Sequence, residues 1–367
     1  MPDNLLPKVA IIYLSFHSEQ YFPDLVDALK KLNYPKDRVE FLIVDNPHPV
    51  HGLSNRYVED HILPISGTEI PHVTYLPQPT NGGFGIGNNA GVEWARERGF
   101  DYVFFHNNDA ALGEDCILKL VEAMEADSTI GIAQSMIMLF KNKEQINSSG
   151  NAFHYLGFGY CNDYKRNLAD LNLPLIYDVP YASGAGIMVP MKIIRELGAW
   201  DENFFMYHED LEWSLRLRIN KYRAVCVRDS LFYHKYEFSK SISKYFWMER
   251  NRFAVLLMFY KWPTLLLILP MLFILEAGLF IFALKGGWIK EKLKVYHYWI
   301  QPSTWRLWLG KRKETQAMRK IDDREILKSC TAEVLFQEDV MQNPLLTYVG
   351  NPIMKLYYNL IMMIIVW

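Results

Sequence analysis

Between Lys8 and Asp127 the chain alternates short apolar runs with amphipathic segments, and this rhythm constrains the fold more than any other feature. "KVAIIYLSF" (Lys8–Phe16) is a short apolar run of the kind that fills a buried parallel strand. "FPDLVDALKKL" repeats its apolar residues at helical spacing, and "EFLIVDN" gives a second strand ending at Asp45. "HVTYLPQ" predicts a third strand. "GIGNNAGVEWARERG" opens with glycines and becomes an amphipathic helix that Gly99 can cap. "DYVFFHNND" is a fourth strand, and "EDCILKLVEAMEAD" a further helix. Strands and helices joined by short connections predict βαβ units and an open, mostly parallel sheet. In such sheets ligands bind beyond the carboxyl ends of the strands. Ser15, Asp45 and Asp109 all stand at such ends. From about Ile137 the rhythm breaks, and beyond Arg250 hydrophobic segments dominate.

With 367 residues, 50% hydrophobic and 22% charged, the chain has enough apolar material for a large core and too little charge for extensive disorder. The four cysteines are scattered without a CxxC pair, which suggests neither a zinc site nor a disulfide framework and fits a reducing compartment. The first residues lack the basic and apolar regions of a signal peptide. The net charge of −2 hides an asymmetry. From Lys285 to Lys320, ten Lys/Arg stand against Glu291 and Glu314, an excess of +8 that marks a surface-binding segment on an acidic body.

Two polar clusters invite chemistry. In "VFFHNNDAAL" an apolar strand runs into His106, Asn107, Asn108 and Asp109. Asn and Asp serve turns through their short side chains, so Asp109 reads either as a turn residue or as a carboxylate held at a strand end. In "FFMYHEDLEW", Glu209 and Asp210 precede an amphipathic helix; Asp210 reads as a helix cap or as a general base. A third signal is a decoy. Gly85-Ile-Gly87-Asn-Asn-Ala90 fits the dinucleotide fingerprint on paper. However, "PQPTNG" separates it from its strand, and the first strand leads into "SFHSEQ" without a glycine, which argues against a dehydrogenase. A loop capping a helix, or backbone N–H groups approaching a phosphate, remain open.

The order "IVDN", "NGGFGIGNNAG", "HNNDA", "SGAGIMVP", "GAWDENFFMYHEDLEWSLRLR", "YHKYEFS" and "RNR" resembles the inverting glycosyltransferases of family 2, closest in flavour to the rhamnosyltransferase-like and galactofuranosyltransferase-like branch. The likeness runs from about Lys8 to Arg252. It implies a GT-A fold, a Rossmann-like, mostly parallel sheet flanked by helices, as a catalytic domain over residues 1–250. Residues 251–367 would form a C-terminal hydrophobic helical, membrane-associating region. It also implies transfer of a sugar from a nucleoside-diphosphate sugar, dTDP-rhamnose-like or a UDP-sugar, with inversion at the anomeric carbon.

The resemblance assigns roles. Asp109 would be the main carboxylate ligand of Mg²⁺ or Mn²⁺, with His234 as a further ligand; a divalent cation neutralises the departing diphosphate. Asn107 stands where an acid is usual, which predicts weak metal binding without nucleotide. Ser15, Phe16 and Asp45 would line the base pocket, and Asn81, Gly82, Gly83 and Asn108 would pass close to the nucleotide. Arg250 and Arg252 would contact the diphosphate or lie solvated. Asp210 would take the proton from the acceptor hydroxyl while Glu209 positions the acceptor. Gly184 and Ala185 would leave room for that acceptor, and Trp200 would stack on a sugar or fill the core.

Thr264–Leu284 is 21 residues with the single acid Glu276, long enough to span a bilayer. Spanning once would put the +8 segment outside, against the positive-inside rule. Pro263, Pro270 and Gly278 suggest broken pieces. The sequence therefore predicts hydrophobic helices lying in the cytoplasmic leaflet, the basic segment on anionic lipids, and a lipid-linked or polysaccharide acceptor. An oligomer is compatible with the sequence. Nucleic acid is disfavoured as a partner by the hydrophobic flanks of the basic segment. The rival from another class is a membrane-bound, non-catalytic nucleotide-sugar-binding or scaffold protein.

Overall fold

The computed structural model describes residues 6–235, 244–334 and 344–367. The chain divides into two compact units. The first comprises Met1–Asn151, Cys161–Phe205 and Tyr222–Glu237. The second comprises Ala152–Tyr160, Met206–Lys221 and Phe238–Trp367.

The first unit is built on a ten-stranded sheet. Its elements are β1 (Val9–Ser15), α1 (Phe22–Lys30), β2 (Val39–Asp45), β3 (His72–Pro77), α2 (Gly83–Glu97), β4 (Tyr102–Asn107), β5 (Ala110–Leu112), α3 (Cys116–Ala126), β6 (Ile130–Leu139), β7 (Ile146–Ser148), β8 (Ile176–Asp178), β9 (Gly186–Pro190), α4 (Met191–Leu197) and β10 (Arg223–His234). The strand order is β8-β10-β6-β9-β4-β1-β2-β3, with β5 on β10 and β7 on β6. β4, β1, β2 and β3 run parallel to one another, as the βαβ rhythm requires. The other half departs from the mostly parallel sheet expected. β9 runs antiparallel to both β4 and β6, β8 and β5 run antiparallel to β10, and β7 runs antiparallel to β6. The sheet is therefore mixed, and the change falls where the alternation stops in the sequence.

Register places the strand ends. Ser15 faces Asp45, and Leu14 faces Asn107, so three parallel strands end side by side. The glycines of the decoy motif do not form a loop. Gly85 and Gly87 lie inside α2, and a Cβ on Gly87 would sit 2.4 Å from Leu14 Cδ1. A Cβ on Gly91 would sit 2.6 Å from Ile12. Gly87 and Gly91 let the helix approach β1 closely, whereas Gly85 faces Asp201 and Trp200 at ordinary contact distance, so packing accounts for Gly87 of the motif.

The second unit is mainly helical, with a small three-stranded sheet formed by Asn151–His154, Gly159–Cys161 and Cys330–Thr331. It contains α5 (Glu209–Ile219), α6 (Lys244–Phe259), α7 (Trp262–Lys285), α8 (Ile289–Trp299), α9 (Pro302–Ala317), α10 (Asp323–Lys328) and α11 (Asn351–Ile364). The expectation of broken pieces is not met, because α7 is one continuous helix of 24 residues. Pro263 sits in its first turn, where a missing N–H costs nothing, and Pro270 is carried within it. By length and composition alone, α7 could cross a membrane. Its inner face buries Thr264, Ile268, Met271 and Ala283, while Leu266, Phe273, Ile274, Ile281 and Leu284 face outward, each more than half exposed.

Candidate functional site

The antiparallel pairing of β5 with β10 sets Ala110 opposite His234 and thereby brings His234 beside Asp109. His234 Nε2 lies 3.0 Å from Asp109 Oδ1, and Nδ1 lies 2.9 Å from Asn147 Oδ1. With the Asn147 amide in this orientation Nδ1 donates to its oxygen; with the amide turned over, its nitrogen donates to Nδ1 and Nε2 donates to Asp109. Burial pushes the Asp109 carboxyl up, but the charge and hydrogen bond of His234 outweigh it and hold the group below its ordinary value. His106, one of the polar run, is not part of this pair. It is buried among Tyr13, Phe104 and Phe232, and burial lowers it to about 4, so the ring is neutral. Asn108 donates to Ser18 Oγ at 3.1 Å, and its carbonyl accepts from Tyr13 Oη at 2.7 Å, which fixes the turn ahead of Asp109.

At the paired ends of β1 and β2, Ser15 and Asp45 are both fully buried. Asp45 Oδ2 accepts from Ser54 N at 2.6 Å and from Tyr75 Oη at 2.8 Å. Asp45 Oδ1 and Ser15 Oγ have no partner among the described residues. Buried polar atoms without partners carry a desolvation cost. Phe16, 36% exposed, packs on His48 at 4.8 Å, and His48 packs on His51, which stacks on His17 at 4.0 Å. The imidazole trio was not singled out from the sequence, because nothing in "SFHSEQ" and "NPHPVHG" announces that the two loops meet.

Asn81 Oδ1 accepts from Gly83 N at 2.9 Å and caps the chain as it enters α2. Gly83 has φ of 87°, and a Cβ there would strike the Phe205 ring at 2.6 Å. A Cβ on Gly82 would meet Ile86 at 2.6 Å. Gly184 and Ala185 are buried ahead of β9, and Ala185 O accepts from Asn107 N at 3.0 Å. Trp200 is only 3% exposed, with its ring edge-on to Phe84 and Phe105. This is the core role rather than the stacking one.

In the second unit, α5 begins with Glu209 and Asp210. The residue at its cap position is His208, not Asp210, and it is left-handed (φ 67°), as is Tyr207 (φ 62°). Left-handed backbone costs a non-glycine residue about 1–2 kcal/mol, so this turn must be held. His208 Nε2 donates to Gly157 O at 3.0 Å, and Asn251 donates to Met206 O and Tyr207 O at 2.9 and 2.6 Å. Glu209 is nearly buried, with Oε2 lacking a partner among the described residues. Burial, and then the Asp210 charge, push its carboxyl up to about 8. Asp210 is less buried, and its Oδ1 accepts from Leu211 N at 2.8 Å.

The two arginines of "RNR" are not solvated. Arg250 lies over Trp247 at 4.5 Å and Tyr298 at 5.3 Å. Arg252 is fully buried and joins Glu249, Glu276 and Lys292 in a four-charge cluster, with Lys292 paired to both acids. Burial raises the Glu249 carboxyl, but Arg252 and Lys292 overcome this and hold it at about 2. Arg252 is therefore committed within its own unit, contrary to a free diphosphate contact. The remainder of "YHKYEFS" after Lys235 lies outside the described residues.

Comparison with known proteins bears on the fold and the family. The chain is 24% identical over 223 residues to the low-salt glycan biosynthesis hexosyltransferase Agl10 of Haloferax volcanii. That match takes in 59% of this chain and 63% of that protein. Among solved structures, it is similar to GalNAc-T7 with UDP, GalNAc and Mn²⁺ (TM-score 0.54, 15% identity, 71% of this chain and 49% of that one). It is also similar to the mannosyltransferase PcManGT from Pyrobaculum calidifontis in complex with GDP-Man and Mn²⁺ (TM-score 0.50, 15% identity, 87% and 88%). These likenesses show the GT-A-like fold. Residues 10–198, about half of the chain, match the family described as Glycosyl transferase family 2, and the chain belongs to that family.

Proposed function

We propose that the protein is an inverting glycosyltransferase that moves a sugar from a nucleoside-diphosphate sugar to a hydroxyl of a lipid-linked or polysaccharide acceptor. The observation that carries this reading is the carboxylate–imidazole pair of Asp109 and His234 at the carboxyl end of the sheet. Its donor set fits a divalent cation. Oxygen and nitrogen 3.0 Å apart match adjacent ligand positions around an ion with bonds of about 2.1 Å. A mixed carboxylate and imidazole set suits Mn²⁺ better than Mg²⁺. No group of three or more His, Cys, Asp or Glu suited to a metal occurs among the described residues. When bound, the ion neutralises charge on the leaving diphosphate.

The chain's own groups do the rest. Ser15, Phe16 and Asp45 form the base pocket, Phe16 through its exposed ring and the buried Ser15 and Asp45 by fixing the ends of β1 and β2. Asn81, Gly82, Gly83 and Asn108 line the way to the diphosphate, and Gly184 and Ala185 give space for the acceptor. Asp210, the more exposed of its pair, removes the acceptor proton. Glu209, pushed up to about 8 by burial, stays protonated near neutral pH and positions the acceptor. The branch, dTDP-rhamnose-like or UDP-sugar, follows from the sequence motifs alone. The resemblance also proposes residues 1–250 as catalytic and 251–367 as membrane-associated. The test is a screen of UDP-, GDP- and dTDP-hexoses with Mn²⁺ and a lipid-linked acceptor, measuring nucleoside diphosphate release. Binding of donors without release under every condition would favour the non-catalytic rival.

For the second unit, the same reading places α7 in the plane of a cytoplasmic membrane face. Its Glu276 is bound into the buried charge cluster, and Tyr296 Oη donates to that carboxylate at 3.1 Å. At its start, Lys261 N donates to Asp323 and Trp367 Nε1 to Thr264 Oγ1; at its end Phe282 packs on Trp288. A helix tied along its length cannot cross a bilayer without taking those charges with it. Its apolar outer face and the exposed Lys285, Lys290, Lys294 and Arg306 suit an anionic lipid surface.

A further inference from the structure

The pair Glu209–Asp210 enters α5 from two consecutive left-handed residues, and something must keep that turn from relaxing. Asn251 is fully buried on α6, and its amide is used on both sides. Oδ1 accepts from Arg250 Nε at 2.7 Å, while Nδ2 donates to Met206 O and Tyr207 O. Those two carbonyls belong to the peptides that precede Tyr207 and His208, so the bonds grip the very units whose rotation sets the left-handed angles. An amide is the side chain that suits this position. A carboxylate of the same shape would set acceptors against carbonyls, and an apolar isostere would leave both carbonyls without these donors. Arg250, seated over Trp247 and Tyr298, fixes which side of the amide carries the nitrogen.

We propose that Asn251 is a positioning residue, which holds the left-handed Tyr207–His208 turn and so aims the Asp210 carboxylate. The proposal rests on the reading of Asp210 as the base. It assigns to the middle residue of "RNR" a role in the rate of transfer and none in donor binding. A turn that relaxes by one left-handed residue would swing the first turn of α5, and misplacement of a reacting group by about 1 Å costs on the order of a hundredfold in rate.

The test compares Asn251→Ala and Asn251→Asp with the unaltered chain in three measurements. These are transfer from the donor identified by the screen, Mn²⁺-dependent UDP binding, and thermal melting. Expected are a fall in kcat of ten- to a hundredfold, a donor KM within twofold, and unchanged UDP affinity. A second substitution, Tyr207→Gly, removes the cost of the left-handed angle, and is expected to restore at least fivefold of the kcat lost in Asn251→Ala. Folded variants with normal kcat would overturn the proposal, as would a loss that Tyr207→Gly leaves untouched. Should Asn251→Ala unfold, recovery of its melting transition by Tyr207→Gly supports the role and failure to recover overturns it. Failure of the base reading is separate: it shows as full turnover in Asp210→Asn, whatever Asn251 does.

Discussion

Glu209 and Asp210 are neighbours in sequence with opposite surroundings, and that difference has a measurable sign. The Glu209 carboxyl is raised from 4.5 to about 8, chiefly by burial. Between those values the folded protein holds a proton that the unfolded chain has lost, so stability falls as pH rises from about 4.5 to 8 and levels off above. Glu209→Gln should flatten that slope in urea denaturation across pH; an unchanged slope would place the titration elsewhere. Asn147 gives a second prediction. It orients the His234 ring from behind, and outer partners of metal ligands typically matter 10–100-fold. Asn147→Ala should weaken Mn²⁺ affinity in the presence of UDP by that order in a metal titration, and unaltered affinity would exclude the role. Legibility at this scale was uneven. Asp109, Asp45 and Asp210 were readable because they close strands or open a helix. Asn147 and the imidazole trio were not, since their neighbours in space lie on distant loops. Burial, which moved Trp200 and Arg252 out of ligand-facing roles, leaves no mark in a motif.

Among the elements, α2 shows how a local pattern misleads. Gly85 and Gly87 imitate a nucleotide fingerprint, yet Gly87, with Gly91 a turn on, lets the helix touch Leu14 and Ile12. Gly87→Ala should therefore destabilise by about 1–3 kcal/mol through overpacking, measured by chemical denaturation, while UDP binding is retained. Loss of binding at full stability would revive the phosphate reading. α7 teaches the converse. Prolines suggested breaks, but a first-turn proline is harmless and the helix is held by its neighbours. Cysteines placed singly at 261 and 287, beyond either end, should react with an impermeant maleimide from the same membrane face. Labelling from opposite faces would show that the helix spans. The strands β1 to β4 were legible from periodicity; the antiparallel β9 was not, because direction is set by connections rather than by residues.

At the scale of the molecule, the sequence divides its labour. One unit gathers Ser15, Asp45, Asp109 and His234 at the carboxyl end of a mixed sheet. The other carries Glu209 and Asp210, the charge cluster and the apolar helix. Family membership, residues 10–198, sits almost wholly on the first, and the α/β half of the chain was correspondingly the easier to read. The central claim is chemical: one carboxylate, Asp210, activates the acceptor. It is tested most directly by measuring transfer and Mn²⁺-dependent UDP binding side by side in Asp210→Asn. Transfer is expected to fall about a thousandfold, with UDP affinity within twofold of the unaltered protein. Transfer near the normal rate in that variant would contradict it.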